Sequence, residues 1–148
     1  MEFRLTSSQK SFYSKGYAYE DTMWNHSVLA VFDTVYSFSR LNDAYNSLSS
    51  SHDSLRTKIK ETENGPVAYV EDYEFRNFPC YEFSSDEELD EWAKKTVNEP
   101  LGLYGTLINC ALFRTPENSG IFIWAHHIVV DGYSCFVMAD YINNYLKN

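Results

Sequence analysis

Apolar residues recur along this chain in two rhythms. Val28-Leu29-Ala30-Val31-Phe32 is β-prone and continuous, after which Phe38, Leu41, Ala44, Tyr45 and Leu48 return every three or four positions. This predicts a buried strand followed by an amphipathic helix. Leu55-Arg56-Thr57-Lys58-Ile59-Lys60 alternates in polarity, Asn64-Gly65 is a turn signal, and Val67-Ala68-Tyr69-Val70 resumes the strand pattern, so this stretch reads as a hairpin. Thr6 with Gln9 forms a capping box that opens a first helix carrying Phe12 and Tyr13. Ser85-Asp86-Glu87-Glu88 is a second capping box, with Leu89, Trp92, Ala93 and Val97 on one face, Lys94 and Lys95 later, and Pro100 to stop the helix. Leu107 to Phe113 and Gly120 to Ala125 predict two strands around the turn Pro116-Glu117-Asn118-Ser119, and Phe136, Val137, Met138, Tyr141, Ile142 and Tyr145 fall at helical spacing. The expected fold is a mixed α/β lobe with helices packed on a sheet. No repeat, low-complexity tract or linker divides it.

The run Ile121-Phe122-Ile123-Trp124-Ala125 is unbroken, as expected of a strand covered on both faces, and it delivers His126 and His127 at its carboxyl end. Successive strand side chains point to opposite faces, so the two imidazoles diverge unless the strand has already broken. One is expected to be reactive and the other structural. Asp131 can cap the following helix, where free amides and the positive end of the helix dipole favour a carboxylate. Gly132 lets the chain turn sharply and approach a ligand without a Cβ, leaving its amide free to face a developing oxyanion; a glycine kept only for the turn is the other reading. Two histidines and an aspartate could also ligate a metal. Divergent neighbours argue against it, and none of His26, His52, Cys80, Cys110 or Cys135 falls at a spacing that completes a shell. His26 reads as a surface or strand-edge residue.

Composition narrows the class. A length of 148 residues with 44% hydrophobic content suits one domain with one sizeable core. With 12 Tyr and 10 Phe, some of the apolar surface is expected to await a partner. A net charge of -9 with no basic stripe argues against nucleic acid. Three cysteines, widely spaced, indicate neither a disulfide framework nor a zinc site and fit a reduced cytoplasm. No apolar stretch reaches the length of a signal peptide or a membrane span.

Three ordered segments carry a resemblance. His126-His127-Ile128-Val129-Val130-Asp131-Gly132 matches His-His-x-x-x-Asp-Gly, Leu5-Thr6-Ser7-Ser8-Gln9-Lys10-Ser11-Phe12-Tyr13 is similar to an opening motif, and Ser51-His52-Asp53-Ser54-Leu55-Arg56-Thr57 is similar to Arg-His-Glu-x-Leu-Arg-Thr. Together these resemble the condensation domains of nonribosomal peptide synthetases, in the chloramphenicol-acetyltransferase-like superfamily. The resemblance covers the amino-terminal lobe, residues 1–148, and implies a half-fold whose missing carboxy-terminal lobe supplies the other wall of a substrate tunnel. It implies amide formation by acyl transfer: the amine of one carrier-bound aminoacyl group attacks the thioester of another. No cofactor is bound directly, the substrates riding on the phosphopantetheine of carrier domains.

By that resemblance His127 is the catalytic residue, accepting the amine proton or orienting the nucleophile, and His126, Asp131 and Gly132 are the scaffold of the motif. The family's aspartate pairs with a buried arginine, which makes Arg56 the expected partner of Asp131. His52 becomes a structural member of the second motif. The expected partners are carrier domains and the second lobe, with self-association of the lobe alone and no catalysis by it. Ser51, Asp53 and Ser11 depart from the usual motif residues and leave the subtype open. The Asp-x-x-x-x-Asp pattern of heterocyclising relatives is absent. An epimerisation domain, a stand-alone acyltransferase of the superfamily and a non-catalytic carrier-docking module are the alternatives.

Overall fold

The computed structural model describes residues 1–16 and 25–148. The elements run β1 (Glu2–Arg4), α1 (Ser7–Gly16), β2 (Asn25–Phe32), α2 (Phe38–Ser51), β3 (Thr57–Thr62), β4 (Gly65–Val70), β5 (Cys80–Glu82), α3 (Asp86–Val97), β6 (Ile108–Arg114), β7 (Ser119–His126) and α4 (Gly132–Lys147). They build two sheets rather than the single expected one. The larger has the order β2-β7-β6-β5 and the smaller β1-β4-β3. In the larger sheet β7 pairs antiparallel with both β2 and β6, and β5 runs parallel to β6. The mixed α/β class is therefore as expected.

β7 is central, and its sequence shows why. Ser119 through Ile123, Ala125 and His126 are all buried, so both faces need apolar or internally bonded side chains. On one face Ile121, Ile123 and Ala125 join Leu41, Ala44, Tyr45 and Leu48 of α2 and Met138, Ile142 and Leu146 of α4. On the other, Phe122 meets Leu89 and Ala93 of α3, with Trp92 and Trp124 packed alongside. A third cluster, Leu5, Ile59, Ala68, Leu103, Leu107 and Ile128, seats α1 through Phe12 and Tyr13 on the smaller sheet. Gly120 has no room for a side chain: a Cβ there would lie 1.9 Å from the Ala30 carbonyl oxygen and 2.5 Å from the Phe113 ring.

The helix starts follow the sequence signals with one change. Thr6 and Gln9 exchange bonds as a capping box, the Thr6 amide donating to Gln9 Oε1 at 3.0 Å and the Gln9 amide to Thr6 Oγ1 at 3.2 Å. Ser85 accepts the Glu88 amide at 3.2 Å, but Glu88 reaches back past it to Ser84, accepting from both its amide and its hydroxyl at 2.7 Å. The hairpin turns at Gly65, whose φ of 100° is the one left-handed backbone among the described residues. β3 begins only at Thr57, because Asp53–Arg56 forms a 3-10 turn. β1 and β5 have no counterpart in the hydrophobic pattern; each is three exposed residues long, too short for any periodicity to register.

Two polar side chains on α2 hold the irregular segment before β5. Asn46, buried, donates to the Arg76 carbonyl at 2.8 Å and accepts the Arg76 amide at 3.0 Å. Asn42 does the same one turn earlier, accepting the Phe78 amide and donating to the Arg76 carbonyl, each at 3.0 Å. Each amide side chain thus stands in for a neighbouring strand, satisfying backbone groups that would otherwise be buried unpaired.

Candidate functional site

β7 carries the chain to His126, where the ladder stops and a turn begins. The His126 amide donates to the Leu107 carbonyl at 2.8 Å, and its ring Nδ1 accepts the Ile128 amide at 3.0 Å. The histidine thus closes the turn with its own side chain. The loop beyond is pinned at alternate residues, Ile128 in the α1 cluster and Val130 in the α2/α4 cluster. Gln9 of α1 ties it from above, donating to the Ile128 carbonyl at 3.4 Å. These anchors fix where His127 stands.

The two histidines occupy different surroundings, as strand alternation requires. His126 is buried, and burial, with the nearby charge of His127, pushes its imidazole down to about 4. His127 is half-buried and lines an open cleft with Ser8, Gln9 and Phe12 of α1, the loop residues Ile128 to Asp131, and Ser134 of α4. Its ring stacks on Phe12, centroids 4.3 Å apart at 20°, and meets the edge of His26 at 4.2 Å and 80°. Its Nδ1 is enclosed without a hydrogen-bond partner, which leaves Nε2 as the nitrogen available to a molecule in the cleft.

Asp131 caps α4. Its carboxylate accepts the Ser134 amide and the Ser134 hydroxyl, both at 2.7 Å, and Ser134 Oγ in turn accepts the Asp131 amide at 3.2 Å. Those bonds, with a smaller contribution from His127, hold the Asp131 carboxyl below its ordinary range. The expected Arg56–Asp131 ion pair is not formed. Asp131 is exposed, and the Arg56 guanidinium is consumed locally: it pairs with Asp53 at 2.5 Å and donates to the Ser49 carbonyl at 3.0 Å and the Glu71 carbonyl at 2.5 Å. Arg56 therefore staples the end of α2 to the end of β4. Gly132 begins α4 without a positive φ, and a Cβ there would meet nothing within 4 Å, so the sharp-turn reading of this glycine does not hold.

His52 behaves as a structural residue. Its Nδ1 lies 3.0 Å from the Leu48 carbonyl at the end of α2, and its ring edge meets Tyr141 of α4. His26 lies on β2, an edge strand of the larger sheet, as the strand-edge reading expects, and beyond that reading it packs against His127. The signal lies in the strand pairing. His26 opposes Ala125 on one sheet face, and His127, the first residue beyond β7, leaves the strand near that same face. Asn25, one residue back, opposes His126 and donates to the carbonyls of Val97 and Glu99, each at 2.9 Å, holding β2 to the end of α3.

Beside the cleft α4 presents Tyr133 and Phe136, 77% and 74% exposed, with Val137 next to them. Among the described residues no three His, Cys, Asp or Glu side chains converge as a metal shell, and no helix is long and apolar enough to cross a membrane.

A family model described as the condensation domain matches residues 1–148. Among curated proteins, the chain is 27% identical over 156 residues to surfactin synthase subunit 2 of Bacillus subtilis (strain 168), covering 99% of this chain and 4% of that protein. It is 24% identical over 149 residues to tyrocidine synthase 2 of Brevibacillus parabrevis, covering 94% of this chain and 4% of that one. Among solved structures, the starter condensation domain of the rhizomide synthetase RzmA superposes with a TM-score of 0.89 at 17% identity, over 99% of this chain and 37% of the other. The first condensation domain of the CDA synthetase gives 0.84 at 18%, over 98% and 40%. The chain thus spans a small fraction of the curated relatives and under half of the solved domains. Strand, histidine loop and helix all fall inside one uninterrupted match, and the chain belongs to the condensation domain family of nonribosomal peptide synthetases.

Proposed function

We propose that this chain forms the amino-terminal lobe of a condensation domain and supplies the histidine wall of its acyl-transfer site. The observation that carries the reading is the posture of His127: half-buried on the cleft floor, stacked on Phe12, with Nδ1 enclosed and Nε2 left for a ligand. The reaction joins two carrier-bound groups. The amine nitrogen of an aminoacyl thioester attacks the carbonyl carbon of an acyl thioester; an N–C bond forms, the C–S bond breaks, and the proton lost by the amine balances the departing phosphopantetheine thiolate. Nε2 of His127 within hydrogen-bond reach of that amine would orient it or hold its proton in passage.

His126 and Asp131 support this site without touching substrate, one closing the turn and the other starting α4. The exposed apolar side of α4, with Tyr133 and Phe136, is surface that the opposing lobe would cover. Without that lobe the cleft stays open to water and holds neither thioester in attack geometry, so the lobe alone is expected to self-associate rather than turn over. The partners are the carrier domains and the second lobe, and no cofactor is bound directly.

The test is single-turnover amide formation between donor- and acceptor-loaded carrier proteins, with this chain joined to a condensation carboxy-terminal lobe. His127→Ala should slow transfer by about 10²–10⁴-fold, the usual contribution of a positioned acid–base group. A wild-type rate with His127→Ala would overturn the catalytic role. Carrier binding that survives in both proteins without turnover in either would favour a docking module instead.

A further inference from the structure

The His127 imidazole is held on two sides, and only one of them belongs to the motifs. Phe12 stacks on its face from α1, while His26 meets it from the neighbouring strand, ring centroids 4.2 Å apart. We propose that His26 is a positioning residue for His127: with Phe12 it fixes the orientation of that ring, and as a second imidazole in direct contact it feels the charge that ring carries. The proposal rests on the reading of His127 as the group that meets the amine.

Register brings the two rings together. His26 opposes Ala125 across the β2–β7 pair on one sheet face, and His127, the first residue beyond β7, leaves the strand near that same face, where its ring meets His26. His26 and His127 are therefore diagonal neighbours, as long as β2 stays paired to its end. Asn25 secures that end by its bonds to the carbonyls of Val97, the last residue of α3, and Glu99 just beyond it. A hydrophobic residue at position 26 would fill the same space but leave no second titrating group beside His127.

Charge supports the same role. α1 offers Ser8, Gln9 and Phe12 to the cleft, all uncharged, the loop offers Asp131 and α4 offers Ser134; His26 of β2 touches the His127 ring, and His126 lies buried at the end of β7. His126 is kept neutral by burial, and His26 is pushed below its ordinary range by burial first and by the charge of His127 second, with Asp131 opposing. The two histidines beside the His127 ring thus both resist a proton more than a free imidazole does. A cation at that ring would meet the π face of Phe12 on one side and, among the described residues lining the cleft, Asp131 as the one carboxylate.

The experiment is an NMR titration of the imidazole rings in the full 148-residue chain, with ring-proton NOEs, for wild type, His26→Leu, His26→Gln and His127→Gln. In the wild type we expect NOEs from His127 to both Phe12 and His26. The pair should bind its two protons in steps separated by more than about one pH unit, as interacting sites do. His127→Gln should raise the midpoint of His26, and His26→Leu should remove the step shared with His26, leaving the His127 ring coupled only to the buried His126. His26→Gln tests the same point if the leucine variant fails to fold. Independent single-step curves, or a His26 midpoint unmoved by His127→Gln, would overturn the proposal. Coupled titration together with unimpaired acyl transfer by His127→Ala would instead overturn the catalytic reading and leave His26 as a partner of a non-catalytic ring.

Discussion

Asp131 and Ser134 bond each other three ways at the start of α4, the carboxylate accepting the Ser134 amide and hydroxyl while the hydroxyl accepts the Asp131 amide. The motif aspartate of this chain is therefore a helix cap at the surface and not half of a buried ion pair. That difference changes what its loss should do. Asp131→Ala is expected to cost about 0.5–2 kcal/mol, the range for a lost N-cap, rather than the roughly 3–5 kcal/mol of a stranded buried charge. Urea unfolding of the variant distinguishes the two ranges.

Arg56 and Asp131 should also be energetically independent. Arg56 holds Ser49, Glu71 and Asp53, none of which touches the α4 cap. A double-mutant cycle on Arg56→Ala and Asp131→Ala should give an interaction within about 0.5 kcal/mol of zero, as for distant sites without shared partners. A larger coupling would restore the family's ion pair for this chain.

Gly120 should tolerate no side chain. β7, the Ala30 carbonyl and the Phe113 ring leave no space for a Cβ, and a methyl group there must push backbone as well as an aromatic core residue. Gly120→Ala is expected to destabilise by about 1–3 kcal/mol, the usual cost of overpacking, with a lowered melting temperature as the readout.

Acid should weaken the fold through His126. Its folded value of about 4 lies below its ordinary one of 6.5, so the native state resists a proton that the unfolded chain accepts. The contribution is fully present above pH 6.5 and is lost as pH falls toward 4, at up to about 1.4 kcal/mol per pH unit. His126→Asn should flatten that part of the stability–pH curve. Equilibrium unfolding at pH 7, 5.5 and 4.5 checks it.

Asn46→Leu should free the segment before β5. It removes both bonds to Arg76, leaving the Arg76 amide without a partner at about 1–3 kcal/mol, while the Arg76 carbonyl keeps its bond from Asn42. Hydrogen exchange at the Arg76 amide should accelerate in the variant, while amides of β7 should keep their protection relative to global unfolding.

Much of this molecule was legible in its order of residues. The apolar run 121–125 announced a strand buried on both faces, and burial of β7 on both sides follows from it. The stripe of Leu41, Ala44, Tyr45 and Leu48 announced α2, and Thr6 with Gln9 announced the start of α1, because periodicity and capping are local and are written within a few residues. The histidine motif was likewise local, and it marked the end of β7 correctly. What the sequence could not fix were the relationships between distant segments. β1 and β5 exist only because partners lie beside them, and Arg56 chose Asp53 over Asp131 because its guanidinium is spent at the end of α2 before it can reach α4. Asn42 and Asn46 look like ordinary surface amides until the segment they bond is folded over them. His26 shows the same limit most sharply: separated from His127 by a hundred residues of sequence, it became its neighbour through the register of β2 against β7, a property of backbone pairing that no local pattern at position 26 records.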